Sequence, residues 1–297
     1  MPPFTKLGTC LHPLRQGTIE TLPQAVFVCD TFTMTSLSLQ LIASILYFGT
    51  TYLAMEQVRH QRRGLSAMVL GLIAVDLHAV GYAWHSWGAG APNLHFFAAL
   101  SLVGMVMAAV SLLQSIKQQA TALQIVIMPI AGICAIPFAL QTPPLQPIAL
   151  DWRIQAHAWL ALFSYAALSV ATITALMLAA QERRLRQRRA LVAQSVLPPL
   201  IQIESLLFRL LQAAFLLLTL TLLSGALFIE DLFAQHLVHK TVLSILSWIV
   251  LGVLLAGRYR YGWRGRKAVR LTLLSMGLLL LAFFGSKLVI ELILQRH

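Results

Sequence analysis

The chain has 297 residues, of which 58% are hydrophobic and only 11% charged. A soluble globular chain carries roughly 25% charge, so this composition excludes that class and describes an all-α, polytopic membrane protein. The net charge of +12 would suggest nucleic acid in a soluble protein, but here the basic residues lie in short loops between apolar runs, where topology and anionic lipid headgroups account for them and nucleic acid is not expected as a partner.

Residues 1–33 hold Pro2, Pro3, Pro13 and Pro23 and no continuous apolar core of a signal peptide. Met34 is followed at once by an apolar run. Either Met34 is the true start or the segment is a short outer tail, and in both cases a poorly ordered extension is expected before a single membrane domain over 34–297. Within it the apolar runs predict eight spanning helices, near 36–55, 65–84, 94–115, 121–140, 154–180, 207–229, 241–257 and 269–293. Pro129 and Pro137 fall in the fourth, where a kink or a short helix is expected.

Basic residues concentrate in alternate connections: Arg59, Arg62 and Arg63; Lys117; Arg183 to Arg189; and Arg258 to Lys267. The other connections and the tails hold only Lys6, Arg15, Arg153, Lys240 and Arg296. Positive loops stay inside, so both termini are expected on the extracytoplasmic side. In the connection 181–206, QERRLRQRRALVAQ reads as a charged continuation of the fifth span, Pro198 and Pro199 stop a helix, and IQIESLLFRLL is expected to lie along the membrane surface before turning inward. The three cysteines, Cys10, Cys29 and Cys134, form no CxxC pair, so neither thiol exchange nor a thiolate metal site is expected, and Cys134 reads as a small packing residue.

This topology places eight of the nine histidines in the outward half, His60 being the inner one. Imidazole is an axial ligand for haem iron, and a flat apolar macrocycle with two propionates suits the edge of a membrane bundle. His157 opens the fifth span, and Ser164 and Tyr165, seven and eight residues on, share its face. His239 opens the seventh span, and Lys240 beside it suits a propionate. His78 lies deeper in the second span, with His85 on the same face about 10 Å nearer the surface at 1.5 Å per residue. For any one histidine a hydrogen-bonded structural role is the commoner case; the constellation favours the ligand reading for His157 and His239. Trp84, Trp87, Trp152 and Trp159 lie at the same edge, as haem-sheltering residues or as an interfacial aromatic belt. Asp76 is costly mid-span, Lys287 is one candidate partner for it, and Lys287 and Glu291 are spaced to pair with each other. No GxSxG, Walker A or HExxH motif occurs.

The stretches HAWLALFSYAALS (157–169), PPLIQIESLLFRLLQAAFLLLTLTLLSG (198–225) and HKTVLSILSW…GWRGRKAV…FFGSKLV (239–289) resemble the cytochrome c assembly, or CcsA-type, haem-handling membrane family, and within it a short eight-helix, HemX-like branch of bacterial inner-membrane proteins. The HxxLxxxSYxxL pattern and the GWRGR turn are specific in combination. The resemblance covers most of 34–297 and implies a multi-pass protein of the bacterial inner membrane that binds haem b in or beside cytochrome c assembly. His157 stands where the family has an outward haem ligand. The family's tryptophan-rich WxWDPKE-like segment before the seventh span is absent: this chain reads DLFAQHLVHKTVLS there, and Ala256 stands near a further family histidine. The scaffold is therefore expected to handle haem without full haem-lyase activity.

Three functions follow. The first is a haem-binding factor with His157, His239, His78, Lys240, Trp159 and Trp84 around the cofactor and His157 and His239 on the iron. The second is a regulatory membrane partner of another inner-membrane protein, without cofactor, docking through 181–206. The third is an ion or proton pathway through Asp76, Lys287 and Glu291, which the lack of an internal repeat disfavours.

Overall fold

A computed structural model describes residues 22–60, 65–89, 92–118, 121–140, 151–186, 200–228 and 238–285; within these, the side chains of 22–36, 85–89, 116–118, 238–239 and 284–285 lie outside the description. The chain folds into α1 (Leu22–Arg59), α2 (Ser66–Ala89), α3 (Phe96–Gln118), α4 (Thr121–Leu140), α5 (Trp152–Arg186), α6 (Leu200–Phe228), α7 (Val238–Tyr261) and α8 (Arg266–Leu280), the last running into a π-helical turn, Leu281–Gly285. No strand occurs among the described residues. The expected all-α membrane architecture is present: α1 to α7 each contain a stretch long and apolar enough to cross a membrane. The eighth expected span is described only as far as Gly285, and Lys287 and Glu291 lie outside the described residues. Of the expected extension over 1–33, residues 1–21 also lie outside them, and 22–33 form the first turns of α1.

Local chemistry sets the helix ends. Pro198 and Pro199 cannot continue a helix, and α6 starts at the next residue, Leu200. The segment IQIESLLFRLL is not a separate surface element: it forms the first turns of α6, because Ile203, Leu206, Leu207, Leu210 and Leu211 continue the buried stripe that Ala214 and Leu218 extend. Pro129 and Pro137 are accommodated inside α4, which remains one helix. Gly132 lets α1 approach α4 there. A Cβ on it would lie 3.2 Å from the Phe48 ring and 3.3 Å from the Ser44 carbonyl, and the Ser44 hydroxyl donates to the Gly132 carbonyl at 2.9 Å. Cys134 packs as expected, its Cβ close against Gly104 of α3.

The helices form two groups. In the first, α1 packs on α2 and α4, and α3 on α4; in the second, α5 packs on α6 and α8, and α7 on α8; α3 and α5 provide the main join. At one end of the second group, Glu204 of α6 pairs with Arg258 at 2.7 Å and Arg264 at 2.8 Å, and Arg258 also lies over the Phe208 ring. Gly262 and Gly265 take positive φ in the α7–α8 turn, and Trp263 folds back against Gly257. The basic ends of α5 and α7 therefore gather at one end of the bundle, and the starts of α5 and α7, with His157 and Lys240, at the other.

Candidate functional site

At that other end α5, α6, α7 and the end of α8 enclose a cavity of about 490 Å³. Three helical faces supply most of its wall: His157, Ala161, Ser164 and Tyr165 from α5; Leu218, Thr221, Leu222 and Gly225 from α6; Lys240, Thr241, Ser244 and Trp248 from α7. Leu279, Ala282 and Phe283 close it from α8 and the π turn. The spacing expected to place Ser164 and Tyr165 on the His157 face does so.

His157 is held by the Ser224 hydroxyl beside the Thr221 carbonyl. Its Nδ1 lies 2.9 Å from Ser224 Oγ, and that hydroxyl donates to the Thr221 carbonyl at 2.9 Å. A hydroxyl has one proton. When that proton is on Thr221, the oxygen accepts from His157 Nδ1–H and Nε2 is the bare nitrogen. Nε2 has no hydrogen-bond partner among the described residues. Metal-ligating histidines commonly donate their other ring N–H to a fixed acceptor in this way.

The rest of the wall is mostly apolar, with Ser164, Thr219, Thr241, Ser244 and Lys240 among its other polar side chains. Trp248 stacks on Phe215 with ring centroids 5.5 Å apart and donates Nε1–H to Thr219 Oγ1 at 2.9 Å. Tyr165 packs on Phe283 and donates its hydroxyl to the Leu279 carbonyl at 2.6 Å, just before the π turn. Single π turns recur at functional sites. One polar atom in the wall is unsatisfied: Ser164, 1% exposed, has an Oγ with no partner among the described residues. Lys240 is half-buried and supplies the cavity's positive charge. The set thus offers one open imidazole nitrogen, one ammonium, one orphaned hydroxyl and an aromatic and aliphatic surround.

The other residues singled out in the sequence fall elsewhere. His239 lies in the first turn of α7, one residue before Lys240, and its side chain lies outside the described residues. His78 is fully buried in the first helix group, where Nδ1 meets the Tyr47 hydroxyl at 3.2 Å and Nε2 meets Ser101 Oγ at 2.7 Å. Both ring nitrogens are engaged, and His78 does not line the cavity. Trp159 turns to the far side of α5, edge-on to Tyr82 of α2, and Trp84 is exposed on α2. Neither lines the cavity. Asp76 is exposed on α2. Among the described residues no group of three or more histidine, cysteine or acidic side chains could hold a metal ion by itself. The residues the sequence did not single out are Ser224, Trp248 and Phe283. The one signal for Trp248 is its place eight residues after Lys240, on the same face of α7.

A family profile described as Cytochrome C assembly protein matches residues 38–294. The inner membrane protein YpjD of Escherichia coli K12 is 42% identical over 137 residues, 46% of this chain and 52% of that protein. The YpjD proteins of the O6:H1 and O157:H7 strains match over the same extent, so the chain spans about half the length of these relatives. An uncharacterized 28.8 kDa protein from a nifR3-like 5′ region of Azospirillum brasilense is 28% identical over 230 residues, 77% of this chain and 85% of that protein. No solved structure matches.

Proposed function

Because this chain belongs to the cytochrome c assembly protein family, we propose that it is a haem-binding protein of the bacterial inner membrane, acting in or beside cytochrome c assembly, with haem b seated in the cavity between α5, α6, α7 and the π turn. The inner-membrane part of this reading follows the printed name of the YpjD relatives. The haem part rests on one observation: an imidazole with an assigned bare Nε2 lines an apolar cavity that also carries a lysine.

The residues fit the group by chemistry and by size. A cavity of about 490 Å³ falls within the roughly 300–1,000 Å³ of small-molecule sites. Bound haem supplies an iron that accepts an imidazole lone pair. His157 presents that lone pair, and Ser224 fixes its tautomer. Lys240 offers its ammonium to a propionate. Trp248 and Phe283 would keep water from a bound haem, and the Ser164 hydroxyl, without a partner among the described residues, would be open to it. His239, in the same turn as Lys240, is the candidate for a second imidazole. The role is handling or accessory rather than lyase, because the tryptophan-rich segment before α7 is missing from the sequence.

The test is an absorbance spectrum of the full-length protein purified in detergent from haem-replete cells. A Soret band is expected, lost in His157→Ala and weakened in His239→Ala. A haem-free preparation that shows no saturable binding of added haem overturns the proposal.

A further inference from the structure

We infer that the exposed α1–α2 face docks a transmembrane helix of a second membrane protein, and that this helix brings a lysine or arginine to Asp76. Asp76 sits at the middle of the apolar stretch Ser66–Trp84. Its side chain is exposed, and it has no ion pair or hydrogen bond among the described residues. On the same face, at helical spacing, Leu72, Ile73 and Val80 are exposed too. Half a turn away, His78 is fully buried with both nitrogens satisfied. The bundle therefore builds a polar network within reach of α2 and turns the one acidic group of α2 the other way. Carboxylates in membrane helices are costly and nearly always face a helix-bundle interior or a water-filled cavity rather than lipid. The outward face of this hairpin has room for a partner helix. Of the apolar windows of α1 and α2, 33% is buried, against 61% in α3 and α5 and 22% in α7, so it is the carboxylate and not exposure alone that marks this face, which Ile45, Phe48 and Tyr52 of α1 extend.

Charge complementarity selects the occupant. Lipid offers no cation at mid-depth. A second copy docking through the same face would set Asp76 against Asp76, which like charges disfavour. A foreign helix with a basic side chain at that depth satisfies the carboxylate, and the apolar residues around it give the packing surface. The inference is independent of the haem reading.

The experiment places a photo-crosslinking amino acid at Val80 of the full chain in native membranes, with Ile249 of α7 as the control position. The expected result is a Val80 adduct whose peptide maps to a transmembrane helix of another protein containing Lys or Arg. Asp76→Asn should lower its yield about tenfold, the equivalent of one intramembrane polar contact. Asp76→Glu, which keeps the charge, should retain it, and Asp76→Lys combined with an acidic replacement of the partner's cation should restore it. Unchanged thermal unfolding of Asp76→Asn in detergent separates lost docking from lost fold. Adducts only to lipid, to a second copy, to a helix without a basic residue, or in a yield that Asp76→Asn does not change overturn the inference.

Discussion

Replacing Ser224 by alanine removes the oxygen that both accepts from His157 Nδ1 at 2.9 Å and donates to the Thr221 carbonyl at 2.9 Å. The helix survives the change, because the Ser224 backbone lies inside α6 and alanine has higher helix propensity. The imidazole loses the group that fixes its ring angle and keeps the proton on Nδ1. Loss of such a supporting partner typically weakens metal affinity by about 10–100-fold, or about 1.4–2.8 kcal/mol, which agrees with one or two neutral hydrogen bonds at about 0.5–1.5 kcal/mol each. The assay is a haem titration of detergent-purified protein followed at the Soret band, with the iron midpoint potential measured in parallel. Ser224→Ala should weaken binding within that range and shift the potential. Ser224→Thr, which keeps the hydroxyl, should restore both. Affinity and potential unchanged in Ser224→Ala, while His157→Ala abolishes binding, would refute the tautomer assignment. Unchanged binding in His157→Ala would refute the ligand itself.

Ser164→Ala should act with opposite signs on the two states: removing a buried, unpartnered hydroxyl should stabilise the haem-free protein by about 1 kcal/mol in thermal unfolding, and haem affinity should fall. His78→Leu should leave the Soret band intact, since His78 is outside the cavity, yet cost about 1–3 kcal/mol of stability by stranding the hydroxyls of Tyr47 and Ser101. Gly257→Ala should destabilise the opposite end of the bundle by about 1–3 kcal/mol, because a Cβ there collides with the Trp263 ring; a melting temperature equal to that of the parent would show that the α7–α8 turn can move aside.

What the sequence made legible is what lies along one helix. Apolar run length located most ends of the first seven spans to within a few residues, the early starts of α1 and α6 excepted, because the requirement to satisfy every backbone group in lipid leaves the helix little alternative. Seven- and eight-residue spacing put His157, Ser164 and Tyr165 on one face, and the cavity wall uses all three. Contacts between helices were another matter. Ser224 is 67 residues from His157, and no periodicity in α6 marks the hydroxyl that meets an imidazole on α5. Helix rotation decided the tryptophans. Trp159 is two residues from His157, about 200° around α5 at 3.6 residues per turn, so it faces Tyr82 instead of the cavity, while Trp248 lies in the α7 wall. The start of α6 was misjudged for a related reason: Glu204 and Arg209 gave IQIESLLFRLL a surface character, yet Glu204 turns inward to Arg258 and Arg264 and its apolar neighbours enter the core.

The two helix groups divide the polar chemistry between them, and α5 is the wall they share. On one side it presents His157, Ser164 and Tyr165 to a cavity with an open imidazole nitrogen and an orphaned hydroxyl. On the other, Trp159 packs edge-on to Tyr82, whose hydroxyl is anchored on the Asn93 carbonyl at 2.7 Å. The polar groups around His78 hold α1, α2 and α3 together and leave neither imidazole nitrogen open, while Gln40, which donates to the His78 carbonyl at 3.4 Å, keeps a buried Oε1 without a partner among the described residues. What separates the groups is the setting of the imidazole: His78 is bonded at both nitrogens inside a packed core, whereas His157 lines a cavity, and the proposed binding chemistry belongs to the second group for that reason. The first fixes the far face of the helix that presents it, and turns the acidic residue of α2, Asp76, away from both.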